Sequence, residues 1–360
     1  MNITIAGTGN GGTALGADLS LKGHDVTLLK TSRTLQNKHF TRLLHNNGRV
    51  LFKDSEGIRI AHIHKVTTSF SEAFSEEPQL IILFIQTNYH EEVIKRISPY
   101  LKDDQVLLLE PGYLSSAFIR RSAKDVNLII AEAESSPLDC RINAPGEVQV
   151  LFKNVRNPIG IYPPARKEDA MIVLDQLGYN FFVLDSVGEA ALNNPNLIVH
   201  TIGAIMSIPR IEYSEGAYSM YKEVFTPSVW NLVEKLDAEK MAIMKALHIK
   251  PISYVEACKF RNSKDSTIDA KEVFFDYARN KSVAGPHVSD SRYITEDVPQ
   301  GLVMLESFGR LLDIRTPVCS SLIEIASACL KTDFREDGRT VDRLGKETLK
   351  EILGLDTIGD

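Results

Sequence analysis

The sequence predicts an α/β fold, an N-terminal doubly wound sheet followed by an all-helical C-terminal domain. Three observations carry this expectation. The strand-like Met1-Asn2-Ile3-Thr4-Ile5-Ala6 runs straight into Gly7-Thr8-Gly9-Asn10-Gly11-Gly12 and a helix-like stretch that Gly23 can end. Apolar runs of strand length, Leu80 to Ile85 and Val106 to Leu109, alternate with helical stretches, as strands buried on both faces of a parallel sheet do. From about Leu192 the β-like runs disappear, and helical periodicity dominates to the C-terminus. Domains are therefore expected at 1–188 and 189–360.

The opening strand, glycine turn and helix have the form of a Rossmann-type dinucleotide site, in which a pyrophosphate sits on free backbone N–H groups. Gly7 would permit the turn, Gly9 the close approach of the phosphate, and Gly12 the packing of helix on strand, with Asn10 beside them. Asp25 to Lys30 reads as the second strand. A dinucleotide domain usually places an acid at its end for the ribose 2′-hydroxyl, yet this chain offers Lys30-Thr31-Ser32-Arg33. Lys30, Ser32 and Arg33 suit a 2′-phosphate, so NADP(H) is expected before NAD; otherwise Lys30 and Arg33 are exposed loop charges. Ligands of such sheets bind beyond the carboxyl ends of the strands. That makes Gln86-Thr87-Asn88 and Glu110-Pro111-Gly112 candidate walls of the nicotinamide half, with Gln86 and Thr87 counted among the cofactor contacts. Gln86-Thr87-Asn88 also suits a cap for a helix starting near His90.

Further strands are expected at Asn127 to Ala131 and Val148 to Phe152, with two β-like pieces, Arg49 to Phe52 and Ile58 to Ile60, around an Asp-Ser-Glu-Gly turn. In the helical half, Thr226 as N-cap and Pro227 in the first turn open a long helix. Its apolar side holds Val229, Leu232, Val233, Leu236, Met241, Met244 and Leu247, which leaves Lys235, Lys240 and Lys245 to a solvated face. Leu302 to Leu312 and Val318 to Leu330 follow as helices.

Composition narrows the function classes. A net charge of −6 leaves no basic excess to neutralise nucleic-acid phosphates. No apolar run is long enough to span a bilayer, and the N-terminal glycines belong to the fold rather than to a signal peptide. Cys140, Cys258, Cys319 and Cys329 lack C-x-x-C spacing, which suggests reduced thiols in a cytoplasmic protein. His62 and His64 would share one face of a strand, solvated rather than metal-bound. The apolar faces of the helical half serve either internal packing or a homodimer.

Two constellations carry chemistry. Asn196 and His200 lie four apart and share a helix face. Histidine exchanges protons near neutral pH, although one flanked by Ile198, Val199 and Ile202 also reads as a satisfied core residue. The second is Ser291-Arg292-Tyr293-Ile294-Thr295-Glu296-Asp297-Val298-Pro299-Gln300-Gly301. Arg292 suits a bidentate grip on a substrate carboxylate, or a structural ion pair. Asp297 suits the orientation of an imidazole, or a helix cap before Pro299.

Together these motifs resemble the octopine/nopaline dehydrogenase family, the opine dehydrogenases. The resemblance spans nearly the whole chain and rests on Gly7-x-Gly9-x-x-Gly12, Asn196-x-x-x-His200 and the helix from Thr226-Pro227-Ser228 through Asp237-Ala238-Glu239. It rests also on Arg292-Tyr293-x-x-Glu296-Asp297-Val298-x-x-Gly301-Leu302-Val303 and the tail Thr332-Asp333-Phe334-Arg335-x-x-Gly338-Arg339-Thr340. It implies reductive condensation of an amino acid with a 2-oxo acid such as pyruvate, using NAD(P)H. It further implies His200 as acid/base, Asp297 as its partner, and Arg292 with Asn196 at the substrate. Two departures stand out: Thr201 where many relatives have Pro, and Glu110-Pro111-Gly112 where relatives often carry Asn-Pro-Gly. An added carboxylate there would repel an acidic substrate or attract a basic one. The competing readings are a reductase of a 2-oxo acid alone, as in ketopantoate reductases, and a non-catalytic dinucleotide sensor.

Overall fold

The computed structural model describes residues 1–32, 37–280, 282, 284–356 and 358. It divides into two compact units, Met1–Val187 and Gly188–Asp360. The first begins with β1 (Asn2–Ala6), α1 (Asn10–Leu21), β2 (Asp25–Leu29), α2 (Lys38–His45), β3 (Arg49–Asp54), β4 (Gly57–His62), β5 (Lys65–Thr67) and α3 (Phe70–Phe74). It continues with β6 (Leu80–Leu83), α4 (His90–Ile97), β7 (Val106–Leu109), α5 (Ser116–Ser122), β8 (Ile129–Ala133), β9 (Leu138–Ala144), β10 (Glu147–Lys153), β11 (Asn157–Tyr162), α6 (Lys167–Leu174) and β12 (Phe181–Val183).

Eight strands form one sheet in the order β12-β11-β8-β7-β6-β1-β2-β5. Its pairs are parallel except β8 with β11. The apolar runs of β6 and β7 are buried at every position, as strands covered on both faces must be. The chain leaves β1 for β2 on one side and later returns to lay β6 on the other. The glycine turn therefore stands at the carboxyl end of the strand where the winding reverses, the place where ligands of such sheets bind.

The strand segments 49–52, 58–60 and 148–152 do form strands, but they leave the main sheet. They build a second sheet, β4-β3-β10-β9. Alternation explains it: Val50, Phe52, Ala61, Val148 and Val150 are buried while Arg49, Ile58, Ile60 and Leu151 are exposed, so only one face is covered. That face joins the core of α1, whose residues from Gly12 to Leu19 are all buried. Such a helix is packed on two sides, which accounts for small and apolar residues all round it. Its one buried acid, Asp18, accepts a hydrogen bond from Tyr179 Oη at 2.6 Å and pairs with Lys22 Nζ at 2.7 Å.

In the second unit α7 (Val187–Leu192) leads to α8 (Asn196–Ile205), α9 (Ile208–Ser214), α10 (Met220–Glu223), α11 (Pro227–Ala246), α12 (Tyr254–Asn262), α13 (Ala270–Asn280) and α14 (Arg292–Thr295). A π-helical turn, Val298–Leu302, then runs into α15 (Val303–Leu311), followed by α16 (Pro317–Leu330), α17 (Val341–Leu344) and α18 (Lys346–Leu353). No strand occurs among its described residues. α11 and α16 start at the prolines the sequence marks, but neither Thr226 nor Thr316 makes a side-chain cap bond. The first N–H groups of α16 go instead to Glu239 of α11, at 2.8 and 2.9 Å.

One assignment on α11 is overturned. Lys235 and Lys245 are exposed, but Lys240 is only 2% exposed. Val233, Leu236, Lys240 and Met244 recur at helical spacing, so Lys240 falls on the apolar stripe rather than opposite it. It is held there by Asp237 Oδ1 at 2.9 Å, Ile252 O at 3.0 Å and Asn193 Oδ1 at 3.3 Å.

Candidate functional site

In the first unit the glycine turn is built by steric necessity. A Cβ on Gly7, whose φ is +137°, would meet Phe84 O at 2.1 Å, and one on Gly12 would meet Gly7 O at 2.1 Å. These two contacts press strand, turn and helix together. A Cβ on Gly9 would meet nothing within 4 Å, so the turn opens at this point. Gly9 precedes α1 without a side-chain cap, and the first turn of α1 holds no acid. Open space over uncapped N–H groups at a helix start fits a dinucleotide pyrophosphate. The Asn10 side chain is directed elsewhere: its Oδ1 accepts the Ile142 N–H at 2.9 Å and ties the turn to β9.

At the end of β2, Lys30 is 4% exposed and its Nζ donates to Ser32 Oγ and, at 3.0 Å, to Ser32 O. Burial pushes the Lys30 ammonium below its ordinary pKa. Arg33 lies outside the described residues. Past β6, Gln86 is half-buried and Thr87 buried, in a single 3-10 turn over Thr87–Tyr89. The helix cap expected from Gln86-Thr87-Asn88 is absent: α4 follows Tyr89 with no side-chain cap.

The loop after β7 also departs from expectation. Glu110 is 1% exposed, and neither carboxyl oxygen has a hydrogen-bond partner. Burial raises its pKa well above the glutamate range, which favours the protonated form and works against its acting as a charged wall toward a substrate. The carboxylate that shapes the loop is Glu132 on β8, which accepts the N–H groups of Leu114 at 2.6 Å and Ser116 at 3.2 Å. It holds Tyr113 and Leu114 at φ values of +49° and +62°. Glu132 carries no local signal in the sequence, because its role depends on β7 lying beside β8.

Because the folded-state pKa of Glu110 is raised, its stability contribution is full below the unfolded glutamate pKa and is lost as pH rises toward the folded value. Melting of Glu110→Gln against the parent should therefore coincide near pH 4. The variant should be the more stable of the two at pH 8, with the gap widening as pH rises above the unfolded glutamate pKa. Parallel curves across that range would contradict a buried neutral acid.

In the second unit α8 is buried from Leu197 to Ile205, and it carries His200 inward. His200 Nδ1–H donates to Asp297 Oδ2 at 2.8 Å across 97 residues of sequence, with the aspartate 2% exposed. Asp297 makes no helix-cap bond, so the cap reading fails. The Tyr293 ring lies flat on the imidazole, centroids 3.7 Å apart and planes 5° from parallel. That stack, which the sequence did not reveal, fixes the ring orientation and covers one of its faces.

Asp297 stands directly before the π-helical turn, a local widening that recurs at functional sites. The turn is braced by the C-terminal tail: Arg339 N donates to Pro299 O at 2.8 Å and its Nε to Gln300 Oε1 at 3.0 Å. Arg335 grips Glu306 of α15 with two bonds, at 2.7 and 2.8 Å. Arg292, half exposed, stands 3.5 Å from Glu296 Oε2. Asn196 begins α8 half-buried, and its N–H donates to Asn194 Oδ1 at 3.0 Å. Among the described residues no cluster of three or more His, Cys, Asp or Glu side chains could hold a metal ion.

Comparison with known proteins finds a match for each of the two units. Residues 183–330 match the family described as NAD/NADP octopine/nopaline dehydrogenase, alpha-helical domain. The helical unit is thus similar to that of the octopine/nopaline dehydrogenase family. Residues 3–136 match ketopantoate reductase PanE/ApbA. An opine dehydrogenase of Arthrobacter sp. (strain 1C) is 28% identical over 345 residues, 95% of this chain and 94% of that protein. The fold is that of octopine dehydrogenase solved with NADH and L-arginine, with TM-score 0.75, 15% identity and 99% of both chains covered. Yersinopine dehydrogenase solved with NADP+ gives TM-score 0.72 at 16% identity, over 99% of this chain and 96% of that one. Among the described residues no helix is long and apolar enough to cross a membrane.

Proposed function

We propose that this protein is an opine-type dehydrogenase. It condenses the amino group of an amino acid with a 2-oxo acid and reduces the product to an N-(1-carboxyalkyl)amino acid. The observation that carries the reading is the buried His200–Asp297 pair, 2.8 Å apart, in a helical unit similar to that of the octopine/nopaline dehydrogenase family. The nicotinamide cofactor, when bound at the glycine turn, supplies the hydride.

Condensation demands proton traffic: the amine must lose a proton to attack, and the oxygen of the adduct must gain one to leave as water. With Nδ1 engaged by Asp297, the ring nitrogen that exchanges these protons is Nε2. The carboxylate of Asp297 stabilises the imidazolium formed when His200 takes the amine proton. His200 then returns that proton to the departing hydroxyl. Tyr293, stacked on the ring, limits its rotation. Arg292 takes a substrate carboxylate, and Asn196, one helical turn before His200, adds a polar contact. The four cysteines are free thiols, in keeping with a cytoplasmic place for a reductase drawing on NAD(P)H.

The match of residues 3–136 to ketopantoate reductase favours one second reading, reduction of a 2-oxo acid alone. A lysine acid on α11 would serve it, but Lys240 is buried on Asp237 and Lys235 and Lys245 are exposed on the far side. The decisive test is a matrix of NADH and NADPH with several oxo acids, each with and without the common amino acids. Cofactor oxidation should require oxo acid and amino acid together, by at least tenfold over oxo acid alone. Equal rates without the amine would defeat the opine reading in favour of the second.

A further inference from the structure

The first unit contains a cavity of about 470 Å³ lined by three separate parts of the chain. Lys30 and Ser32 come from the end of β2. Asn37, Lys38 and His39 come from the start of α2. Ile142, Asn143, Ala144 and Pro145 come from the turn between β9 and β10. We propose that this cavity takes the adenosine end of the cofactor with a phosphate on the ribose, and that Lys38 and the β9–β10 turn form a second wall that selects NADPH over NADH. This inference rests on the dinucleotide reading of the glycine turn.

Its chemistry points one way. Two ammonium groups, a hydroxyl and two side-chain amides line the space, and no carboxylate is among its described lining residues. A free ribose diol would find no acid to accept its hydroxyl hydrogens, whereas a phosphate dianion finds two cations. Lys30 is fixed by Ser32, so its charge is already oriented. Lys38 is exposed and faces the same space from α2. The apolar surfaces of Ile142 and Pro145 suit a flat base.

The second wall is tied to the glycine turn rather than hanging loose. His39 Nδ1 accepts the Gly146 N–H at 3.1 Å, and the opposite ring nitrogen bonds Thr13 Oγ1 of α1 at 3.1 Å. Because Nδ1 accepts a backbone N–H, the ring serves as a neutral strut rather than a third cation, and burial favours the same form. Asn10 holds Ile142 from the glycine turn itself. Phosphate cradle and adenosine wall are thus one construction, joined through α1.

The test measures binding by titration of the whole protein with NADPH, NADH and 2′,5′-ADP, without turnover. The parent should bind NADPH at least tenfold more tightly than NADH, and raising the salt should weaken NADPH more than NADH. Lys38→Ala should lose about tenfold in affinity for NADPH and 2′,5′-ADP while its NADH affinity stays within twofold. Asn143→Ala should move in the same direction by a smaller factor. Lys38→Ala that weakens both cofactors alike, or neither, overturns the second wall. A parent that binds NADH as tightly as NADPH overturns the phosphate pocket but leaves the dinucleotide reading intact. A parent that binds no dinucleotide overturns both.

Discussion

His200→Ala should lower kcat/KM for the amine-dependent reaction by about 10²–10⁴-fold, the range expected when a positioned general acid/base is removed. Dinucleotide affinity should be unchanged, because the glycine turn and its walls belong to the other compact unit. Asp297→Asn isolates the partner. It keeps the size of the side chain but removes the charge that stabilises the imidazolium, and its amide can present N–H groups to a nitrogen that now donates at 2.8 Å. Its kcat should fall by a similar order, and the acidic limb of the pH–rate profile should shift to lower pH as the imidazolium loses its counter-charge. If the two side chains act as one device, the double variant is scarcely slower than His200→Ala alone. Single-turnover measurements with saturating cofactor check all three. Turnover retained in His200→Ala would remove this histidine from the chemistry, whereas a parent with no turnover on any substrate pairing would reopen the sensor reading.

The glycine turn was legible because everything it needs is local: a strand, three glycines and a helix within one stretch of twenty residues. His200 and Asp297 were different. Each had an equally good bland reading, core histidine or helix cap, and only the resemblance to a known family singled them out. The bond between them spans 97 residues, and no spacing rule reaches that far. Tyr293 has no role legible in the sequence, since its stack on His200 exists only once α14 packs against α8. The second sheet escaped for a related reason. The strand character of 49–52 and 148–152 was visible in their alternation, but strand character does not name a partner. β9, Leu138-Asp139-Cys140-Arg141-Ile142-Asn143-Ala144, has too few apolar residues to read as a strand at all. The cavity at the end of β2 is walled partly by that strand's end, so that wall could not be foreseen from the loop after β2.

Lys240 departs from the solvated face expected of it because of a neighbouring acid, and it carries the second large effect. A lysine on a long helix is ordinarily solvated, and the alternative requires a buried acid within one turn to receive it. Asp237 is that acid, itself 6% exposed, with its Oδ2 accepting the Tyr254 N–H at 2.9 Å. Lys240→Met preserves length and apolar stem but strands a buried carboxylate, so it should destabilise the helical unit by about 3–5 kcal/mol. For a unit of this size that lowers its melting temperature by roughly 10 °C or more. The double variant Lys240→Met/Asp237→Leu should recover much of the loss, because the uncompensated charge goes with it, although Tyr254 N–H is then left without its acceptor. Thermal melting of the two variants beside the parent decides the matter; a loss below about 1 kcal/mol for Lys240→Met would mean the pair is effectively solvated. The consequence extends to the chemistry. Lys240 also holds Asn193, and the next residue, Asn194, accepts the first N–H of α8, one turn before His200. Removing the lysine therefore loosens the start of the helix that aims the imidazole. Below its melting temperature Lys240→Met should show reduced kcat with cofactor affinity intact. The buried lysine then acts on the reaction only through the position of His200.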